Sequence, residues 1–229
     1  VEKRLIARCD LLVVAAFEPE LTGLDTVTSV AEDAFASPLG GIVVVAAPVG
    51  IGLVEAALGT SSCLGAHAPR AVVLVGTCGA YPRAGLSIGD VVVARSALLV
   101  EPAVVRGTAA LPEAISTRRG VHPAILTGLA RLGAPAVDVA TTLAVTIDDT
   151  LAEQLAAKGE VEHLEAFAVA AACAREGVPF AAVLGVANRV GANGRVEWRA
   201  NHLAAGAAAT RYVVRWIEGG APGAFPSSP

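Results

Sequence analysis

The chain has 229 residues, 54% hydrophobic and 17% charged, with a formal net charge of −4. Such a chain builds one core-rich globular domain, or at most two small ones, and is not disordered. With 17 Lys and Arg, no basic run and 4% aromatics, it has neither the electrostatic footprint nor the stacking platforms of a nucleic-acid binder.

The longest uncharged span, 34–54, is interrupted by Pro38, Pro48 and repeated glycines, which argues against a membrane-spanning helix. Glu2, Lys3, Arg4, Arg8 and Asp10 break up any apolar signal region, so a cytoplasmic location is expected. Cys9, Cys63, Cys78 and Cys173 lie far apart, without the spacing of a zinc site or a disulfide scaffold, and are read as buried free thiols.

Short apolar runs at 11–16, 42–47, 72–75, 91–94 and 181–186 read as buried strands. Between them the sequence predicts helices over 53–64, 123–132, 150–157, 165–176 and 198–218. This alternation implies an α/β domain with helices on both faces of a sheet. The alanine-rich helix from Glu165 is the best defined, stopped by Gly177 and Pro179. Its first residue sits where open α/β sheets bind ligands. A single domain over 1–218 is expected, followed by a flexible tail, 219–229, rich in Gly, Pro and Ser.

Four places put glycine or a polar group where an apolar strand ends. Glu18 and Glu20 flank Pro19 and have a bland explanation as a solvated turn. Gly50-Ile51-Gly52 begins like a dinucleotide fingerprint, but Glu55 occupies the third glycine position, and a tight turn explains the pair. Gly76-Thr77-Cys78-Gly79 has amides and a hydroxyl able to cradle a ligand oxygen, although such glycine turns are common. Asn188, after the strand at 181–186, reads alone as a turn former or helix cap. Beside these, Glu162, His163 and Glu165 bring three ionisable groups into an apolar region, either as surface groups around Leu164 or as part of a site.

Taken in order, these segments resemble the nucleoside phosphorylase and nucleosidase family of purine-cleaving enzymes. Ala16-Phe17-Glu18-Pro19-Glu20 is similar to the first acidic loop of the bacterial nucleosidases, and Val75-Gly76-Thr77-Cys78-Gly79-Ala80 to their central loop. Ile88-Gly89-Asp90-Val91 resembles the strand that follows, Val161-Glu162-His163-Leu164-Glu165 the ribose-gripping segment, and Ala187-Asn188-Arg189-Val190 the purine-contacting loop. The resemblance implies a three-layer α/β/α sandwich with a central mixed sheet, a homo-oligomer, a small nucleoside substrate, and no metal or organic cofactor. It assigns catalysis to Glu20 and Asn188, and substrate binding to Glu165, Thr77, Gly79, Leu164 and His163.

Two departures from the family refine the expectation. Leu74 stands where similar phosphorylases have a phosphate-binding arginine, and no arginine lies between Phe17 and Glu20. Two carboxylates there would repel a phosphate dianion, so water is the expected nucleophile. Asn188 stands where adenine-specific nucleosidases carry aspartate; an amide with two N–H donors suits N7 and the 6-oxo group of hypoxanthine. The asparagine in that loop and a ribose segment with one extra residue, Val161-Glu162-His163-Leu164-Glu165, resemble those of the futalosine hydrolases of menaquinone biosynthesis. The alternatives are a nucleosidase for methylthioadenosine, S-adenosylhomocysteine or aminofutalosine, a purine nucleoside phosphorylase, and a silent nucleoside-binding sensor domain. Phe167 and Trp198 are the candidates to stack on the purine.

Overall fold

The computed structural model describes residues 8–24, the backbone of 35–39, and residues 41–225. Strand β1 (Leu11–Ala15) is buried along its whole length. It pairs in parallel with β3 (Ile42–Pro48) on one side and β4 (Ala71–Ala80) on the other. Burial on both faces is why these strands read as continuous apolar runs rather than alternating ones. An antiparallel β2 (Phe35–Leu39) adds the outer edge beyond β3.

On the far side the sheet closes on itself. β4 pairs with β9 (Phe180–Arg189), β9 with β5 (Val91–Leu99), β5 with β7 (Ala136–Thr141), β7 with β8 (Val161–His163), and β8 again with β4. A short β6 (Arg118–Gly120) extends the other edge of β5. The sheet is therefore mixed, as expected, with five of its strands joined in a ring.

The helices α1 (Leu53–His67) and α5 (Ala166–Arg175) pack against each other. The long α6 (Gly194–Glu218) lies along β4 and β9 and also touches α3 (Pro123–Ala130). Gly185 of β9 permits the closeness of α6, because a Cβ there would sit 2.1 Å from the Ala205 carbonyl oxygen. The short α2 (Pro102–Val105) and α4 (Asp149–Leu155) pack on each other at one end.

Several boundaries differ from the sequence reading. The segments at 76–80 and 187–189, read as turns, continue β4 and β9, with an irregular register between Cys78 and Gly79. Strands β2, β6, β7 and β8 were not foreseen, and α6 begins four residues earlier than expected. The stretch after α6 does not fray as far as Phe225. Ala221 and Ala224 are buried, and Trp216 Nε1 donates to the Pro222 carbonyl at 3.3 Å. The charged N-terminus from Glu2 to Arg4 and the last four residues of the expected tail lie outside the described residues.

All four cysteines are free thiols, with Cys9, Cys78 and Cys173 buried and Cys63 only half-buried. Burial pushes the Cys9 and Cys173 thiols up to about 12, which makes them inert as nucleophiles. No helix among the described residues is long and apolar enough to cross a membrane.

Candidate active site

A cavity of about 600 Å³ opens where the ends of β1, β4, β8 and β9 meet the start of α6. Every residue to which the resemblance assigns catalysis or substrate binding lines it: Glu20, Thr77, Gly79, His163, Leu164, Glu165 and Asn188.

Glu20 arrives there because the chain leaving β1 makes a single 3-10 turn, Glu18–Leu21, started by Pro19. The turn separates the two acids. Glu18 is exposed, so the solvated reading holds for it, whereas Glu20 is 5% exposed. Its main chain is pinned by the Thr210 hydroxyl of α6, which donates to the Glu20 carbonyl at 2.9 Å. Its Oε1 accepts from the Thr77 amide at 2.9 Å and the Thr77 hydroxyl at 2.8 Å. Oε2 is buried and has no hydrogen-bond partner among the described residues. Gly76 makes room for it, since a Cβ at that position would stand 3.0 Å from Oε2. Burial, reinforced by the Glu165 charge and only partly offset by Thr77, pushes the Glu20 carboxyl up from 4.5 to about 7. The Thr77 amide and hydroxyl, expected to cradle a ligand oxygen, are thus both spent on the Glu20 carboxylate.

Glu165 sits at the N-cap of α5, where an acidic side chain would ordinarily turn back onto its own helix. His163 takes over that task. Its Nδ1 accepts from the Glu165 and Ala166 amides at 3.0 and 3.1 Å. An Nδ1 that accepts two N–H groups carries no proton, and burial also lowers the His163 pKa against the opposing pull of Glu165. The 3.2 Å approach of Nδ1 to Glu165 Oε2 is therefore a close contact of a neutral ring, not an ion pair. The Glu165 carboxylate is freed to accept from the Gly52 amide at 2.7 Å and to face the cavity. Gly50 and Gly52 hold φ of +100° and +86°, and a Cβ on Gly50 would collide with Glu55. The glycine pair is a turn, as its spacing suggests, and it presents one amide to Glu165.

Asn188, near the end of β9, is half-buried and lies against Gly79 and Gly194. A Cβ on Gly79 would be 2.8 Å from Asn188 Nδ2, so Gly79 gives the amide its space. Nδ2 donates to the Arg189 carbonyl at 2.9 Å. The sequence argument counted two free N–H donors; one is engaged within the chain, which leaves one N–H and the carbonyl oxygen for a ligand.

The cavity wall also includes Val145, Thr146, Arg195 and Arg199, which no motif in the sequence marks, together with Phe17, Ile51 and Glu162 from the quoted segments. Glu162 is buried, and its carboxylate accepts from the Thr146 amide at 3.0 Å, the Thr146 hydroxyl at 2.5 Å and the Tyr81 hydroxyl at 2.9 Å. It ties the 142–148 segment to the sheet. Its three-residue spacing from Glu165 in the quoted ribose segment was the one available clue. Of the two candidate stacking aromatics, Trp198 lines the cavity. Phe167 does not; it is buried in the core, with the Arg119 guanidinium 5.9 Å from its ring centre. Among the described residues no group of three or more His, Cys, Asp or Glu side chains is arranged to hold a metal ion.

The fold is that of the nucleoside phosphorylases and nucleosidases. The family model described as the phosphorylase superfamily matches residues 15–218, and the chain belongs to that superfamily. No curated protein matches the sequence significantly. Among solved structures it is similar to the 5′-methylthioadenosine/S-adenosylhomocysteine nucleosidase of Colwellia psychrerythraea 34H in complex with adenine, at 19% identity and a TM-score of 0.83, covering 97% of this chain and 99% of that one. The corresponding Neisseria meningitidis nucleosidase, in complex with methylthio-immucillin-A, gives 19% identity and a TM-score of 0.81, covering 91% and 98%. A futalosine hydrolase mutant of Helicobacter pylori strain 26695 gives 18% identity and 0.77, again covering 91% and 98%. At these identities the likeness speaks for the fold.

Proposed function

We propose that this protein is a nucleosidase, one domain over residues 1–218, that hydrolyses the N-ribosidic bond of a 6-oxopurine nucleoside. The leading substrate is futalosine, cleaved to hypoxanthine and dehypoxanthine futalosine in menaquinone biosynthesis. The carrying observation is one cavity that unites a buried carboxylate, Glu20, one oxygen of which has no partner among the described residues, with a second carboxylate, Glu165, and the Asn188 amide.

Cleaving a C–N ribosidic bond builds positive charge on the sugar and negative charge on the purine. Glu165 accepts hydrogen bonds from the ribose hydroxyls and lends negative potential to the sugar cation. Asn188 donates its remaining N–H to the leaving base. Glu20 Oε2 takes the proton of a water whose oxygen bonds to the anomeric carbon, while the C–N electron pair departs on the purine, which is then protonated. A carboxyl pushed up to about 7 is well matched to that work near neutrality. Gly79, Leu164 and His163 act as walls and supports rather than as reacting groups.

One observation favours a second reading, phosphorolysis. Leu74 is fully buried and brings no cation to the site, but Arg195 and Arg199 line the cavity and have no partner among the described residues. Purified protein incubated with futalosine, aminofutalosine, inosine and methylthioadenosine, with and without phosphate, separates the possibilities. Hypoxanthine release from futalosine without phosphate is the expected result. A phosphate requirement would make it a phosphorylase, adenine release a nucleosidase of the methylthioadenosine or aminofutalosine type, and binding without release a sensor domain.

The homo-oligomer also belongs to this proposal. Ile51, Val54 and Leu58 at α1, and Leu143, Val145 and Ile147 before α4, are exposed apolar side chains, and Ile51 and Val145 belong to the cavity wall. A second copy covering them would finish the site, and sedimentation of the purified protein as a dimer or larger is expected.

A further inference from the structure

Behind Glu20 runs a line of hydrogen bonds that the proposed reaction does not by itself require. Trp198 Nε1 lies 3.1 Å from the Thr77 hydroxyl oxygen, and that hydroxyl lies 2.8 Å from Glu20 Oε1. An indole N–H is a donor and nothing else, whereas a threonine hydroxyl has one hydrogen and rotates to suit its surroundings. With the indole hydrogen arriving at Thr77 Oγ1, the oxygen must accept there, and its own hydrogen is left to point at Glu20. The indole is itself held. The His202 ring stacks on it at 4.2 Å and 17°, and His202 Nδ1 lies 3.0 Å from the Trp198 carbonyl oxygen. A carbonyl only accepts, so that Nδ1 carries the proton.

We infer that Trp198 is a positioning residue, whose indole N–H locks the Thr77 hydroxyl as a donor to one oxygen of Glu20 and so leaves the other oxygen as the proton acceptor of the site. The inference rests on the reading of Glu20 as the general base. A donor polarised from behind also donates more strongly, so the chain favours the ionised carboxylate beyond what an unlocked hydroxyl would give. The other groups bearing on Glu20 are the Glu165 carboxylate across the cavity, the Cys78 thiol next along β4, and on α6 the Thr210 hydroxyl at its carbonyl. Arg195 and Arg199 of α6 and the neutral His163 line the same cavity. None of these replaces the indole as a donor to Thr77 in the hydrogen bonds described above.

The test compares Trp198→Phe, Thr77→Val, the double variant and Glu20→Gln, each checked for wild-type melting behaviour, with futalosine and inosine as substrates. Trp198→Phe keeps an aromatic ring beside His202 and removes the N–H together with part of the indole's area. Because it also trims the indole wall of the cavity, the variant is judged on the acid limb of the rate profile, expected to move up by about half a pH unit or more, alongside a kcat lowered about tenfold. The double variant is expected to be no slower than Thr77→Val alone, because the two act through one hydroxyl. An unmoved acid limb, or losses that multiply in the double variant, would overturn the inference while an inactive Glu20→Gln left the reading of Glu20 intact. A fully active Glu20→Gln would remove both. Independently of turnover, the Trp198 indole N–H resonance should titrate near pH 7 in the wild type and stay flat in Glu20→Gln. Trp216, bonded to the Pro222 carbonyl, is the internal reference. A Trp198 resonance flat in the wild type counts against the coupling.

Discussion

Two carboxylates line the same cavity with nearly equal exposure, Glu20 at 5% and Glu162 at 7%, yet they are opposite in kind. Glu162 is saturated: its oxygens receive an amide and two hydroxyls, and all three hold structure together. Glu20 is saturated on one oxygen and bare on the other. Burial alone therefore does not mark a reactive acid. A buried acid with an unpartnered oxygen is costly to ionise, and on the proposed reading that is what suits Glu20 to proton transfer.

Exchanging each acid for its amide sharpens the contrast most. Glu20→Gln is expected to lower kcat by about 10²–10⁴-fold, as for loss of a general base. Its fold should be retained or made more stable, which thermal melting beside steady-state kinetics would reveal. Glu162→Gln is expected to do the reverse. It leaves Thr146 or Tyr81 facing another donor, costing about 2–3 kcal/mol and several degrees of Tm, with a smaller loss in kcat/KM as the 142–148 segment loosens.

At the purine end, Asn188→Asp is expected to shift the ratio of kcat/KM between inosine-like and adenosine-like substrates at least about tenfold toward the latter. Equal losses on both would contradict the proposed contact with the base.

The pH dependence follows from the burial of Glu20. With Glu20 as the proposed base, which acts when ionised, the rate should rise with pH through about 7 and stand about tenfold below its plateau one unit lower. Stability runs the other way. The folded chain binds this proton more tightly than the unfolded chain, so the Glu20 contribution is most favourable below 4.5 and is lost as pH climbs to about 7. Comparing Tm of the wild type and Glu20→Gln at pH 5 and pH 8 isolates it, with the gap opening at pH 8.

Much of this was legible in the sequence. The apolar runs at 11–16, 42–47 and 181–186 marked central strands because strands covered on both faces need no alternation. Family order then gathered Glu20, Thr77, Glu165 and Asn188 before any geometry was available. What could not be read was the use of small residues by their neighbours. Gly76 and Gly79 look like turn formers, but β4 runs straight through them, because pairing with β9 and β8 outweighs local preference and the missing side chains admit Glu20 and Asn188. The short β8 escaped detection for the same reason: three residues carry no period, and tertiary pairing alone makes them a strand. Trp198 looked like a platform for the purine, yet its N–H reaches Thr77, a contact across 121 positions of sequence that no local pattern encodes.

The five-strand ring has a further consequence. A closed circuit of paired backbones has no free end along which to unzip, so the three strands that carry Thr77, His163 and Asn188 can separate only by breaking the circuit as a whole. Passage of a ligand into and out of the cavity then falls to the parts outside the circuit, the first turn of α6 and the chain between β7 and α4. Slow amide exchange around the loop of strands, beside fast exchange in those two gateposts, is the dynamic signature this architecture dictates.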